Sequence, residues 1–320
     1  MENNTKIPVY VISGFLGSGK TTVLLNMLEQ CKEKGQQPGI ILNELGEENV
    51  EGHLFEDKKV FELLNGCICC TLQEDLKETL DNLVKEMEER PLDVLFIEGT
   101  GVANPLEIQE ALLSKPYTDQ FEIMSIITVL DASHYLEYQS VFSSSAEVRK
   151  LMQEQMICAS LLLLNKTDLV RPEQLDKIKQ KIAKIVGQEK QMVHCNYGQV
   201  EPKVLFEKRF QSISIGEHPD VTHHHHHSTL QAIKLEDLPP LQQKKFEKWL
   251  NQLPGGILRG KGFIEIDNSH QLYSFQYASK KATFTRVPSS INKKPVIILI
   301  GMGLDNEQIN AHCKQLLSSK

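Results

Sequence analysis

Gly14-Phe15-Leu16-Gly17-Ser18-Gly19-Lys20-Thr21, with Thr22 next, decides how the rest of the chain is read. It is a complete G-x-x-x-x-G-K-T pattern. Before it, Ile7-Pro8-Val9-Tyr10-Val11-Ile12 is a short apolar run that predicts a buried strand. After it, Thr22 to Lys34 puts Leu24, Leu25 and Leu28 on one side of a helix. Strand, glycine loop and helix are the context in which this pattern binds phosphate. Gly14, Gly17 and Gly19 let backbone N–H groups around Ser18 turn inward toward phosphate oxygens, and the helix start adds a partial positive charge. Lys20 is expected to reach the terminal phosphates as a catalytic residue, and the Thr21 hydroxyl, with Thr22 beside it, to hold Mg²⁺. The chain is expected to bind a nucleoside triphosphate.

Working outward, further apolar runs read as strands at Gly39–Leu42, Asp93–Ile97, Ser125–Leu130, Ser160–Leu164 and Gln191–His194, with helices around 72–90, 105–114, 146–157 and 172–185 between them. Apolar strands separated by helices predict an α/β fold with a mostly parallel sheet covered on both faces. This domain is expected to span residues 1–205. Residues 206–228 turn polar and run through His218 into His223–His227, a linker that reads as a loose metal-collecting loop. Residues 229–320 predict a smaller α+β domain: a strand at Thr229–Leu235, a helix at Pro240–Leu253, strands at Gly262–Ile266, Leu272–Tyr277, Ala282–Val287 and Pro295–Ile300, and a closing helix at Asn306–Leu317.

Asn165-Lys166-Thr167-Asp168 sits at a strand end about 145 residues after the phosphate loop. In an open α/β sheet, strand ends carry the ligand contacts. A carboxylate there accepts the N1–H and N2 amino hydrogens of guanine, whereas adenine would leave it unpaired. Asp168 therefore predicts GTP over ATP, with Lys166 along the base and Asn165 tying the loop. Cys195–Gly198 is placed to wall the other side of the base. Glu98-Gly99-Thr100-Gly101 ends another strand. Glu98, where an Asp is usual, is expected on Mg²⁺ or on the attacking water. Asp131, which ends its own strand, reads as structural.

Gly66-Cys67-Ile68-Cys69-Cys70 is the second informative stretch. Cys67 and Cys69 point the same way in an extended chain. Cys70 precedes Thr71-Leu72-Gln73-Glu74, a capping box whose helix start favours thiolate. Three thiolates leave one place open in a tetrahedral Zn²⁺ site, and the Asn43–Glu48 loop offers Glu44 or Glu47 to fill it. Small buried cysteines and a reversible redox switch remain open as other readings.

Composition sets the bounds. The chain has 320 residues, a formal charge of −7 and no strong basic run, so a nucleic-acid partner is not expected. No apolar stretch approaches the ~20 residues of a bilayer span. The first residues lack the apolar core of a signal peptide. A cytoplasmic location follows, in which seven cysteines, three of them crowded at Cys67, Cys69 and Cys70, suit metal or redox chemistry better than disulfides.

In this order the phosphate loop, the C-x-C-C stretch, Glu98–Gly101, the N-K-x-D stretch, the histidine-rich joint and the small C-terminal domain resemble CobW-like P-loop GTPases over essentially the whole chain. The resemblance implies a slow, GTP-dependent metallochaperone that binds Zn²⁺, with Co²⁺ or Ni²⁺ as alternatives, and passes it to a client metalloprotein. It also implies phosphate and Mg²⁺ binding by Gly17 to Thr22, guanine binding by Asn165, Lys166 and Asp168, and metal binding by Cys67, Cys69 and Cys70 with Glu44 or Glu47. A Co or Fe insertion partner of one dedicated enzyme and a redox-regulated signalling GTPase are the alternatives. A homo-oligomer stays open.

Overall fold

Val9–Ile12, Val94–Ile97, Ile126–Leu130 and Leu161–Leu164 are buried along their whole lengths, which requires neighbours on both faces of a sheet. The computed structural model describes residues 6–44, 59–64, 72–214, 230–236, 238–253, 256–266, 271–278, 281–287 and 294–302. The chain divides into two compact units, Met1–Phe210 and Gln211–Lys320.

The first unit runs β1 (Ile7–Ser13), α1 (Lys20–Glu33), β2 (Pro38–Glu44), β3 (Lys59–Leu64), α2 (Leu72–Glu89), β4 (Val94–Glu98), α3 (Pro105–Leu113), β5 (Phe121–Asp131), α4 (Tyr135–Tyr138), α5 (Ala146–Cys158), β6 (Leu161–Asn165), α6 (Pro172–Val186), β7 (Met192–His194) and α7 (Pro202–Leu205). Its seven strands lie in the order β3-β2-β4-β1-β5-β6-β7, and every pairing is parallel. One core cluster packs Val23, Leu24, Met27 and Leu28 of α1 against Tyr10, Ile12, Phe96 and Ile127. A second packs Met152 and Met156 of α5 and Ile178 and Ile182 of α6 against Leu162 and Leu164. β1 lies between β4 and β5, where strand order reverses, and at such a point the crevice beyond the strand ends takes ligands.

The strand β3 was not expected from the sequence. Lys59 and Glu62 interrupt its apolar pattern, and among the described residues it pairs only with β2, at the edge of the sheet. From the boundary at Phe210 onward come β8 (Phe210–Ser214), β9 (Leu230–Glu236), α8 (Gln243–Gln252), β10 (Gly256–Ile266), β11 (Gln271–Ala278), β12 (Lys281–Arg286) and β13 (Val296–Met302). The strands form a sheet of order β12-β11-β10-β13-β9-β8. Phe246, Trp249 and Leu250 of α8 pack onto Ile264, Phe275 and Leu299. β8 falls inside the stretch expected as linker. Its sequence, FQSIS, has too few apolar residues to announce a strand, and it exists by pairing at a sheet edge. The Asn306–Leu317 helix and the His218–His227 loop lie outside the described residues.

The approach to β6 is fixed by a buried lysine. Lys190 Nζ donates to the carbonyl of Ile157 at 3.1 Å and to that of Ala159, where the last turn of α5 leaves oxygens unpaired. Burial lowers the Lys190 pKa to about 8, against an opposing influence of Cys158. The ordinary value is 10.5, so between these values the unfolded chain binds more protons than the folded one, and stability rises with pH. Relative to Lys190→Met, the native chain should gain up to about 3 kcal/mol of unfolding free energy across that window, read by urea denaturation at each pH. A pH-independent difference would mean that the carbonyls hold the ammonium at its ordinary pKa.

Candidate functional site

The loop between β1 and α1 has an unusual backbone because its glycines sit where side chains cannot. Gly14, Gly17 and Gly19 all have positive φ, at 137°, 72° and 100°. A Cβ on Gly14 would lie 2.2 Å from the Val129 carbonyl oxygen, and one on Gly19 would lie 2.5 Å from Asn165 Nδ2. Gly19 is also the N-cap of α1. It supplies no side-chain acceptor, and no acidic residue occupies the first turn, so the helix start is left for an external anion. The Ser18 hydroxyl is buried with no hydrogen-bond partner among the described residues. Lys20 is buried, and its Nζ donates to the Phe15 carbonyl at 3.4 Å. Thr22, the next residue but one in α1, is exposed.

Beside this loop, the Thr21 hydroxyl donates to Glu98 Oε1 at 2.9 Å. Glu98 closes β4 and is buried, so the two residues expected near Mg²⁺ are brought into direct contact. The segment that follows is tied down from α5. Gln155 Nε2 donates to the carbonyls of Gly101 at 3.3 Å and Ala103 at 3.1 Å, and Asn104 Nδ2 donates to Glu154 Oε2 at 3.2 Å. Nothing in the sequence singled out Gln155, a helix-interior residue whose role depends on how α5 packs.

The 165–168 stretch grips the same loop. Asn165 is buried at the end of β6. Its Nδ2 donates to the Ser18 carbonyl at 3.0 Å, and its Oδ1 accepts from Gly198 N at 3.1 Å and from the Cys195 thiol at 3.6 Å. Lys166, with a left-handed backbone at φ 59°, reaches the Gly17 carbonyl and Asp131 Oδ2, each at 2.7 Å. Asn196 Oδ1 accepts from the Thr167 hydroxyl at 2.8 Å and from Asp168 N at 3.0 Å, which leaves the Asp168 carboxylate exposed to a ligand. Cys195 and Gly198 thus reach the base loop through Asn165, and burial raises the Cys195 pKa to about 11. Burial alone would raise the pKa of Asp131. The hydrogen bonds from Lys166 and Ser133 and the lysine charge outweigh it, and the carboxyl titrates below its ordinary value.

These groups fit a nucleoside triphosphate with Mg²⁺. An anion-accepting helix start, a buried lysine, an orphaned hydroxyl and a hydroxyl–carboxylate pair converge on one loop. They define a P-loop nucleotide-binding protein.

The metal residues expected from sequence stand differently. Cys67, Cys69, Cys70 and Glu47 lie outside the described residues, as does His53. Glu44 is described in its backbone only, as the last residue of β2, in register with Leu64 of β3. Among the described residues no group of three or more His, Cys, Asp or Glu side chains is placed to hold a metal. Cys31, Cys158 and Cys195 are buried, and among the described residues none is in a disulfide.

Comparison with known proteins agrees with the architecture. Residues 8–193 match the CobW/HypB/UreG nucleotide-binding domain, and residues 230–317 match the cobalamin synthesis protein CobW C-terminal domain. The chain belongs to the CobW/HypB/UreG family. It is 27% identical over 322 residues to the zinc chaperone YjiA of Escherichia coli, covering 95% of this chain and 97% of that protein. It is 28% identical over 301 residues to the zinc chaperone CobW of Pseudomonas aeruginosa, covering 83% and 79%. It is 30% identical over 312 residues to the zinc-regulated GTPase metalloprotein activator 1 of Dictyostelium discoideum, covering 83% of this chain and 64% of that protein. The crystal structure of Zn(II)-bound YjiA GTPase from E. coli aligns over 98% of this chain and 99% of that one, with 24% identity and a TM-score of 0.47.

The packing at Gly19 gives a direct test. Gly19→Ala should abolish nucleotide binding, because its Cβ collides with Asn165 Nδ2 and φ 100° is strained for alanine. Equilibrium titration with a fluescent guanine nucleotide checks this, and retained affinity would show that the loop tolerates a side chain at this position.

Proposed function

We propose that the chain is a slow GTPase that carries Zn²⁺ on Cys67, Cys69 and Cys70, with Glu44 or Glu47 as an added ligand, and transfers it to a client metalloprotein. The observation that carries the nucleotide half is the 2.9 Å bond between Thr21 and Glu98 beside a phosphate loop held by Asn165 and Lys166. Mg²⁺, when bound, would neutralise charge on the β- and γ-phosphates. Thr21 and Glu98 would hold it, and Lys20 would stabilise charge developing on the γ-phosphate. Glu98 would also orient the attacking water. Asp168, its backbone fixed by Asn196, would accept both guanine donors. Gly14, Gly17, Ser18 and Gly19 would line the phosphates.

The metal half is supported by the C-x-C-C sequence and by relatives named as zinc chaperones. The β2–β3 register adds to it, since Glu44 pairs with Leu64, three residues before Cys67 in the chain. Three thiolates and one oxygen suit Zn²⁺, with Co²⁺ or Ni²⁺ as lesser fits. GTP would order the 43–57 segment near the cysteines, and hydrolysis would release it with the ion. A cytoplasmic setting is part of the same reading, and among the described residues no helix is long and apolar enough to cross a membrane.

Zn²⁺ affinity should differ by about 5–150-fold between the forms bound to GDP and to a non-hydrolysable GTP analogue, and the ratio of GTP-analogue to GDP affinity should change by the same factor with Zn²⁺. Competition against a chromophoric chelator measures the first. Equal affinities in the two forms would remove the gating. Rapid disulfide formation unaffected by Zn²⁺ would favour a redox-regulated GTPase instead.

A further inference from the structure

One ammonium group joins a buried carboxylate to the phosphate loop. Lys166 Nζ lies 2.7 Å from Asp131 Oδ2 and 2.7 Å from the carbonyl oxygen of Gly17. Asp131 ends β5 in register with Asn165 at the end of β6, so Lys166 begins one residue beyond the paired position. We propose that Asp131 is a positioning residue for nucleotide binding: through Lys166 it anchors the Gly17 carbonyl, and with it the peptide unit whose Ser18 N–H donates to the Phe15 carbonyl at 3.2 Å, so that the loop keeps one backbone conformation before a nucleotide arrives. The proposal rests on the nucleotide reading given above.

The carboxylate is built as a fixed point. Asp131 is 6% exposed, and both its oxygens are engaged. Oδ1 accepts from Ser133 N at 2.9 Å and from the Ser133 hydroxyl at 2.5 Å, while Oδ2 takes Lys166 and lies 3.3 Å from His134 Nδ1. A lysine whose only task were to lie along a base would have no need of a buried, fully bonded carboxylate at its tip. Peptide units are planar, so fixing a carbonyl fixes the direction of the N–H in the same unit. Lys166 fixes the Gly17 carbonyl and Asn165 the Ser18 carbonyl, the second at 3.0 Å. Two successive peptide units of the loop are therefore oriented from the β5–β6 side. The segment that starts at Asp131 meets the loop a second time, where the Tyr138 ring packs edge-on to Phe15 at 4.9 Å with His134 stacked on Tyr138 at 5.8 Å.

The base-reading residue is Asp168, so an effect on the phosphate loop is separable from an effect on base choice. Inosine triphosphate lacks the guanine N2 amino group and serves as the probe. Asp131→Asn keeps the side-chain shape and removes the charge. It should weaken GTP and ITP alike, by about tenfold, with the GTP-to-ITP ratio unchanged. Lys166→Met should do the same, and the double variant should be no weaker than the worse single one, because the two residues act as one unit. Asp131→Glu, which restores the charge, should recover part of the loss. Displacement of a fluorescent GDP analogue measures every case. Unchanged affinity in Asp131→Asn, a shifted GTP-to-ITP ratio, or additive losses in the double variant would overturn the proposal. If Asp131→Asn does not fold, the Lys166→Met ratio decides by the same comparison. A native chain that binds no GTP would sink the nucleotide reading itself, an outcome distinct from insensitive variants.

Discussion

Two carbonyls of the phosphate loop are held by side chains that come from the end of another strand, and much of the site follows from that constraint. Asn165 takes the Ser18 oxygen and Lys166 takes the Gly17 oxygen. The same Asn165 accepts from Gly198, which brings in the 195–198 loop, and Asn196 then orients Thr167 and Asp168. The residues proposed to bind the phosphates and those proposed to bind the base form one hydrogen-bonded assembly. This assembly depends in turn on β5 and β6 pairing in a single register, since a slip would carry Asn165 off the phosphate loop.

Glu98 enters from the opposite neighbour of β1. β4 brings its carboxylate to Thr21 in the first turn of α1, and Gln155 and Glu154 of α5 hold the segment that follows. The site is thus assembled at the ends of three adjacent strands, β4, β1 and β5, with β6 completing it.

How much of this was legible in the sequence depended on burial. Strands covered on both faces appear as unbroken apolar runs, and Val94–Ile97 and Leu161–Leu164 could be read directly. Edge strands do not announce themselves that way. Lys59 and Glu62 in β3, and the polar residues of β8, are tolerated because among the described residues each strand lies at the edge of its sheet. The site residues that carry a recognisable spacing were nameable from sequence. Asp131 was read as structural, because its link to Lys166 exists only once β5 and β6 lie side by side. Gln155 was hidden for the same reason: its partners are distant in the chain and are brought near by packing.

The bare start of α1 carries a cost that the folded chain bears when no anion is present. A helix end with no side-chain cap subtracts from stability. Whatever binds there adds its own binding free energy to the folded state by mass action. The lifetime of this chain inside a cell is thereby linked to the guanine-nucleotide pool, so that starvation for nucleotide would lower its abundance as well as its activity.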